Sequence, residues 1–226
     1  MKKTLNCAMA LSLVMLVSIA AIAQDEKNKV EGYLGYSFHS AQTDLENDFQ
    51  DFDDRLNSHG FEGAVTGNFH KYVGAKFDFS THSKSDGFVS GAESFNVKLR
   101  TNQFLGGVQF KNNLKDGPTL KPFAHVLAGV ANQRITASGV FEDIGGGGEG
   151  GIPVLTPFNE TLSTNNFAMA IGAGLDLKVH RHVDIRLVQF DYNPIFFRDL
   201  EVDDFDIDIP GTTQHNYRIG FGVVFH

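Results

Sequence analysis

Residues 216–226 alternate without a break. Tyr217, Ile219, Phe221, Val223 and Phe225 fall on one side, and Asn216, Arg218, Gly220, Gly222, Val224 and His226 on the other. A period of two sustained over this length belongs to a β-strand whose faces meet different surroundings. The pattern recurs along the chain. Val30, Gly32, Leu34, Tyr36 and Phe38 oppose Glu31, Ser37 and His39. Phe61, Val65 and Phe69 oppose Glu62, Thr66 and Asn68. Val73, Ala75, Phe77 and Phe79 oppose Lys76, Asp78, Ser80 and His82. Phe167, Met169, Ile171, Ala173, Leu175 and Leu177 oppose alanines, glycines, Asp176 and Lys178. Helical spacing fits none of these segments.

The polar face decides what kind of sheet this is. In a soluble sandwich it would be the wetted surface and carry many charges. Here it is rich in glycine and alanine and sparse in charge. Small residues with a few ions suit the crowded interior of a narrow barrel, where about eight strands leave room only for side chains. The Phe-rich face then meets lipid. Eight such segments are expected, at about 29–39, 58–69, 72–82, 95–110, 119–134, 165–178, 183–192 and 215–226. Their connections alternate in length. Residues 40–57, 83–94, 135–164 and 193–214 are long; 70–71, 111–118 and 179–182 are short. An even strand number with long loops on one side and short turns on the other is the pattern of outer-membrane barrels. The expected fold is all-β, an eight-stranded antiparallel up-and-down transmembrane β-barrel. Closure is required because unpaired backbone groups in hydrocarbon cost several kcal/mol each.

The N-terminus places this barrel outside the cytoplasm. Lys2 and Lys3 precede an apolar run from Ala8 to Ile19, and Ala21-Ile22-Ala23 forms a small-x-small cleavage site. Residues 1–23 therefore read as a signal peptide and 24–226 as the barrel domain. The one cysteine, Cys7, lies in the leader, so the mature chain has no disulfide. A formal net charge of -8 argues against a nucleic-acid partner.

Charge on the inward face carries the candidate site. Glu31, Glu62, Lys76, Asp78, Asp176, Lys178, Asp184, Arg186 and Arg218 are expected in the lumen, and isolated ions there would be costly. A lumen ion network of Glu62, Asp78 and Asp176 with Lys76, Arg186 and Arg218 follows. His125 shares the inward face. One strand breaks register: with Arg186 inward, simple alternation sends Gln189 and Asp191 into lipid. One extra residue near Val188 would return them to the lumen, so a β-bulge is expected there.

Several stretches resemble a known family: Thr119-Leu120-Lys121-Pro122-Phe123-Ala124-His125-Val126-Leu127, Phe167 to Asp176, Val183 to Tyr192, and Gly220 to Phe225. They are similar to the small outer-membrane β-barrel family with the OmpA-like transmembrane domain, and the resemblance covers nearly the whole mature chain. It implies a barrel in the outer membrane of a Gram-negative bacterium, with outer-membrane lipids and the barrel assembly machinery as partners. Its motifs specify a barrel rather than a task. Two departures are visible: no peptidoglycan-binding domain follows the eighth strand, and Phe225 is penultimate where such barrels usually end on an aromatic.

The expected function is a structural or surface-interaction role for a monomeric barrel with a polar, plugged lumen and long acidic extracellular loops. A narrow porin-like channel is the alternative, followed by a lipid-modifying enzyme and a soluble lipocalin-like binder. No catalytic residue, metal site or cofactor is expected. Asp44, Glu46, Asp48, Asp51, Asp53 and Asp54 crowd the first loop, and Glu201, Asp203, Asp204, Asp206 and Asp208 the last, without the spacing of a calcium loop.

Overall fold

The computed structural model describes residues 27–42, 55–90, 93–145, 152–197, 200–202, 207–209 and 211–226. The expected leader and the acidic positions 44–54 and 203–206 lie outside them. The described residues form twelve strands: β1 (Val30–Gln42), β2 (Arg55–Asn68), β3 (Val73–Ser90), β4 (Glu93–Lys111), β5 (Leu120–Gly145), β6 (Ile152–His180), β7 (Val183–Tyr192), β8 (Ile195–Phe196), β9 (Leu200–Val202), β10 (Ile207–Ile209), β11 (Thr213–Gln214) and β12 (Tyr217–Phe225). The chain from β1 to β7 pairs each strand with the next, all antiparallel. β12 then bonds to β7 on one side and to β1 on the other. These eight strands form a closed ring.

The two faces are sorted as a membrane barrel requires. Phe61 and Phe77 are each 69% exposed on the outside, while Lys76, Asp78, Arg186 and Arg218 are buried inside. Phe69, Tyr72, Phe110 and Phe225 are exposed near the short-turn end, where an aromatic girdle belongs.

The bulge is present. β7 advances three residues, from Arg186 to Gln189, while β12 moves only from Gly222 to Gly220. On the other side Leu175 pairs with Val188 and Asp176 with Arg186. Leu187 and Val188 are both exposed, and Gln189 and Asp191 are both buried.

The connections depart from expectation. Residues 83–94 and 135–164, expected as loops, carry the ladder through most of their length. β3 and β4 pair out to Ser90 and Glu93, and β5 and β6 out to Gly145 and Ile152. Because β4 and β5 also stay paired out to Ser94 and Val140, these segments leave the barrel as one four-stranded sheet. Beyond the barrel this sheet no longer separates hydrocarbon from a packed lumen, so backbone pairing persists without the two-sided contrast that makes alternation legible. The described residues between 193 and 214 likewise hold four short strands, β8 to β11. β8 pairs back onto β6 through Phe196 and Phe167 and through Ile195 and Ala168.

Candidate functional site

Arg218 organises the middle of the lumen. From β12 its Nη1 donates to Asp78 Oδ1 on β3 at 2.9 Å, and its Nη2 donates to Asp191 Oδ2 on β7 at 2.6 Å. Glu62 Oε2 on β2 lies 3.6 Å from its Nε. Lys76 Nζ sits nearby, 3.4 Å from Asp78 Oδ2 and 3.9 Å from Glu62 Oε1. His125 Nε2 reaches within 3.0 Å of Asp191 Oδ1. Every one of these residues is buried.

A second group sits nearer the short-turn end. Arg186 grips Asp176 with two donors, Nε to Oδ1 at 2.8 Å and Nη2 to Oδ2 at 3.2 Å. Such a two-point fork fixes orientation as well as charge. The guanidinium also lies between two rings, 4.2 Å from the centroid of Tyr33 and 4.0 Å from that of Phe123. Inward glycines make room for both rings. A Cβ on Gly35 would collide with the Tyr33 hydroxyl, and one on Gly174 with the Phe123 ring. Lys111 Nζ completes the group, donating to Glu31 Oε2 at 2.6 Å and Asp176 Oδ2 at 3.1 Å.

At the rim, Lys121 Nζ donates to Asp184 Oδ2 at 2.9 Å. His226 Nε2 is 2.9 Å from the same oxygen, and its Nδ1 lies 3.6 Å from Glu31 Oε1. Gln189 joins the central and lower groups. Its amide nitrogen donates to Glu62 Oε1 and Asp191 Oδ2, both at 2.8 Å, and its oxygen accepts from Arg186 Nη1 at 2.7 Å. The result is one continuous network from rim to mid-lumen.

The loop-side half of the lumen is different. Leu105, Leu127, Ala131, Ala168 and Ala170 form a buried apolar cluster capped by Ile195 from β8, with Phe197 packed against it. Opposite, the His39 and His82 rings stack at 4.9 Å, and His82 Nε2 is 3.0 Å from Ser37 Oγ. Asn193 anchors the entry to the last connection, accepting from Gln103 Nε2 at 2.7 Å and donating to the Met169 carbonyl at 2.6 Å.

All six residues singled out from the sequence occupy this interior, but in two groups. Glu62, Lys76, Asp78 and Arg218 meet directly; Asp176 and Arg186 pair apart from them and connect through Gln189. Lys178, expected inward, stands opposite the buried Asp184 at the rim and is half-buried there, its amine donating to the Lys115 carbonyl near the turn. Sequence reasoning missed Lys111, placing it in a turn where it is the last residue of β4. It also missed Lys121, although Lys121 shares the parity of His125. Tyr33 and Phe123 share the inward parity of Glu31 and His125, but alternation alone gives no sign that their rings serve a buried guanidinium. Among the described residues no group of three or more His, Cys, Asp or Glu could hold a metal ion.

A family model described as "Outer membrane protein beta-barrel domain" matches residues 9–225. No curated protein matches the chain. Among solved structures, the chain is similar to Ail, the attachment invasion locus protein of Yersinia pestis, solved with the heparin analogue sucrose octasulfate. Identity there is 17%, with 87% of this chain and 97% of that one covered at a TM-score of 0.48. Neisserial surface protein A is 8% identical, with 89% and 99% covered at a TM-score of 0.47. The outer membrane protein OprG from Pseudomonas aeruginosa is 11% identical, with 89% and 97% covered at a TM-score of 0.39.

Proposed function

Because the chain belongs to the outer membrane protein beta-barrel domain family and resides in the outer membrane, we propose that it serves there as a structural and surface-interaction protein with a closed lumen. The observation that carries this reading is the division of labour along the tube. Polar side chains tie strands together across the lumen, while β3 to β6 run on past the barrel as one sheet.

Arg218 and Lys111 each join carboxylates on at least two other strands, which favours a fixed wall-to-wall brace. The sheet extension supplies the contact surface. Leu99, Ile135 and Leu162 stand in one cross-strand row, with Ile135 and Leu162 exposed. Phe95 and Phe158 stack on the same face at 6.1 Å. An exposed apolar patch outside the lipid belt is a feature of interaction sites. No reaction is assigned: Ser37 and His82, which face each other at 3.0 Å, are both buried in the lumen, away from lipid.

A second reading, a gated narrow conduit, draws on Lys76. Its amine stands 3.4 to 3.9 Å from its carboxylate neighbours and 3.5 Å from His125 Nδ1, looser than the Arg218 contacts. It is the cation best placed to exchange partners.

Planar-bilayer recording separates the two. A closed brace predicts no steady conductance for the native protein and a lower melting temperature for Arg218→Ala. Discrete native openings that Arg218→Ala alters would favour the conduit. Unchanged conductance and melting in that variant would defeat both. The surface role is tested by paired Ile135→Ser and Leu162→Ser changes. Adhesion of cells displaying the barrel should fall while its folded amount stays constant; equal adhesion would remove the surface role.

A further inference from the structure

The outward face of β3 to β6 changes character abruptly along the strands. Phe79, Phe104, Val130 and Phe167 form one cross-strand row, all exposed and all apolar. Two residues further out the row reads Thr81, Asn102, Asn132 and Asn165, joined in part by hydrogen bonds: Thr81 Oγ1 donates to Asn102 Oδ1 and Asn132 Nδ2 to Asn165 Oδ1, both at 2.8 Å. The next row reads Ser83, Arg100, Arg134 and Ser163.

Arg100 and Arg134 are therefore direct cross-strand partners, both exposed. Opposed residues place their Cβ atoms about 5 Å apart, and like charges in that relation are destabilising. Among the described residues nothing relieves it. Neither guanidinium forms an ion pair among the described residues. No carboxylate stands in this row or in the next, where Lys98 adds a third cation beside Ser85, Thr136 and Thr161. The nearby Lys84–Asp86 pair, at 3.1 Å, has the opposite parity and lies on the other face of the sheet. Such a concentration of positive charge is unusual in a chain of formal net charge -8.

Position supplies the occupant. Arg100 is four residues beyond Phe104, about 13 Å along a strand at about 3.3 Å per residue, and less in height once the strand tilt of about 40° is included. A long arginine side chain reaches several ångströms further toward the lipid boundary. The charge is thus set at the headgroup layer of the outer leaflet.

We propose that the Ser83–Arg100–Arg134–Ser163 row clamps a phosphate group on a lipid of the outer leaflet. Two guanidiniums and two flanking hydroxyls offer donors to the oxygens of one phosphate, an arrangement for which arginine is the better cation. The anion converts the repulsion between the two arginines into a shared attraction. The barrel is thereby seated at a defined height, whatever the state of its lumen.

Native mass spectrometry of the detergent-solubilised barrel, titrated with diphosphorylated lipid A, tests the clamp. Arg100→Gln and Arg134→Gln should each weaken adduct formation about fivefold, the worth of one cation near an anionic surface, and the double variant more. Thermal melting gives an independent reading with a reversal of sign. In uncharged detergent Arg134→Gln should melt at or above the native temperature, because a repulsion is gone. In bilayers containing diphosphorylated lipid A it should melt below it. Equal lipid A adducts in native and double-variant barrels would overturn the clamp, as would equal binding of lipid A stripped of its phosphates. The clamp also fails if inorganic phosphate alone, or a soluble sulfated oligosaccharide, gives the whole arginine-dependent gain, since either assigns the row to a soluble anion. Insertion into the membrane is scored separately by heat-modifiable migration, so loss of the clamp is distinguishable from loss of the barrel.

Discussion

Gln189 reaches Glu62 across two intervening strands, its Nε2 donating to the carboxylate at 2.8 Å. β7 and β2 are not neighbours in the ring, so this bond braces the tube rather than the sheet. The same side chain accepts from Arg186 and donates to Asp191. A neutral amide is suited to the position because it can donate on one side and accept on the other.

Gln189→Leu should therefore cost more than one ordinary hydrogen bond. Glu62, Asp191 and Arg186 each lose a buried partner, and every charged group left short costs about 1–3 kcal/mol. We expect a loss of about 2–4 kcal/mol of stability, read from urea unfolding in lipid vesicles. A change below about 0.5 kcal/mol would mean the bridge contributes nothing net.

Arg186→Lys should behave as a disruptive change despite keeping the charge. Lysine cannot make the two-point grip on Asp176, nor lie flat between Tyr33 and Phe123. About 2 kcal/mol of destabilisation is expected from a lost charge-assisted bond and stacking. Equal melting of the two proteins would show that charge alone is what the site requires.

The bulge can be tested by deletion. Removing Leu187 from β7 shifts every residue beyond it by one, and a one-residue slip sends each side chain to the opposite face. Gln189 and Asp191, both buried in the lumen, would then point into hydrocarbon. The deleted protein should fail to show heat-modifiable migration on gels. A barrel that still folds and melts normally would mean the register absorbs the loss elsewhere.

Exposure and environment can be separated with two residues of almost equal accessibility. Phe77 is 69% exposed on the barrel wall, and Leu162 is 70% exposed on the β6 extension. Phe77→Arg should cost about 2–4 kcal/mol, the penalty for an arginine facing the hydrocarbon midplane. Leu162→Arg should fall within about 0.5 kcal/mol, as for other water-facing changes. Similar penalties at both sites would place the lipid boundary elsewhere.

Much of the fold can be read from residues alone because the membrane imposes a local rule. Each strand must show one face to hydrocarbon and the other to a narrow polar interior, and both demands are written at a period of two. Even the break in that period is legible: Gln189 and Asp191 following Arg186 can be reconciled with the lumen only by one extra residue. Alternation also locates the inward charges. It stops being informative where the sheet no longer separates hydrocarbon from a packed lumen, so the extensions of β3 to β6 read as loops.

What remains is decided by closure. Sequence parity puts Glu62, Lys76, Asp78, Asp176, Arg186 and Arg218 inside, but it says nothing of height or of which walls face each other. Pairing depends on ring order, tilt and stagger, which are properties of the closed tube. Those bring Arg218 to Asp78 and Asp191, leave Asp176 to Arg186 and Lys111, and set the inward rings of Tyr33 and Phe123 against a guanidinium. A strand records which medium each side chain meets; only the assembled cylinder determines its partner across the lumen.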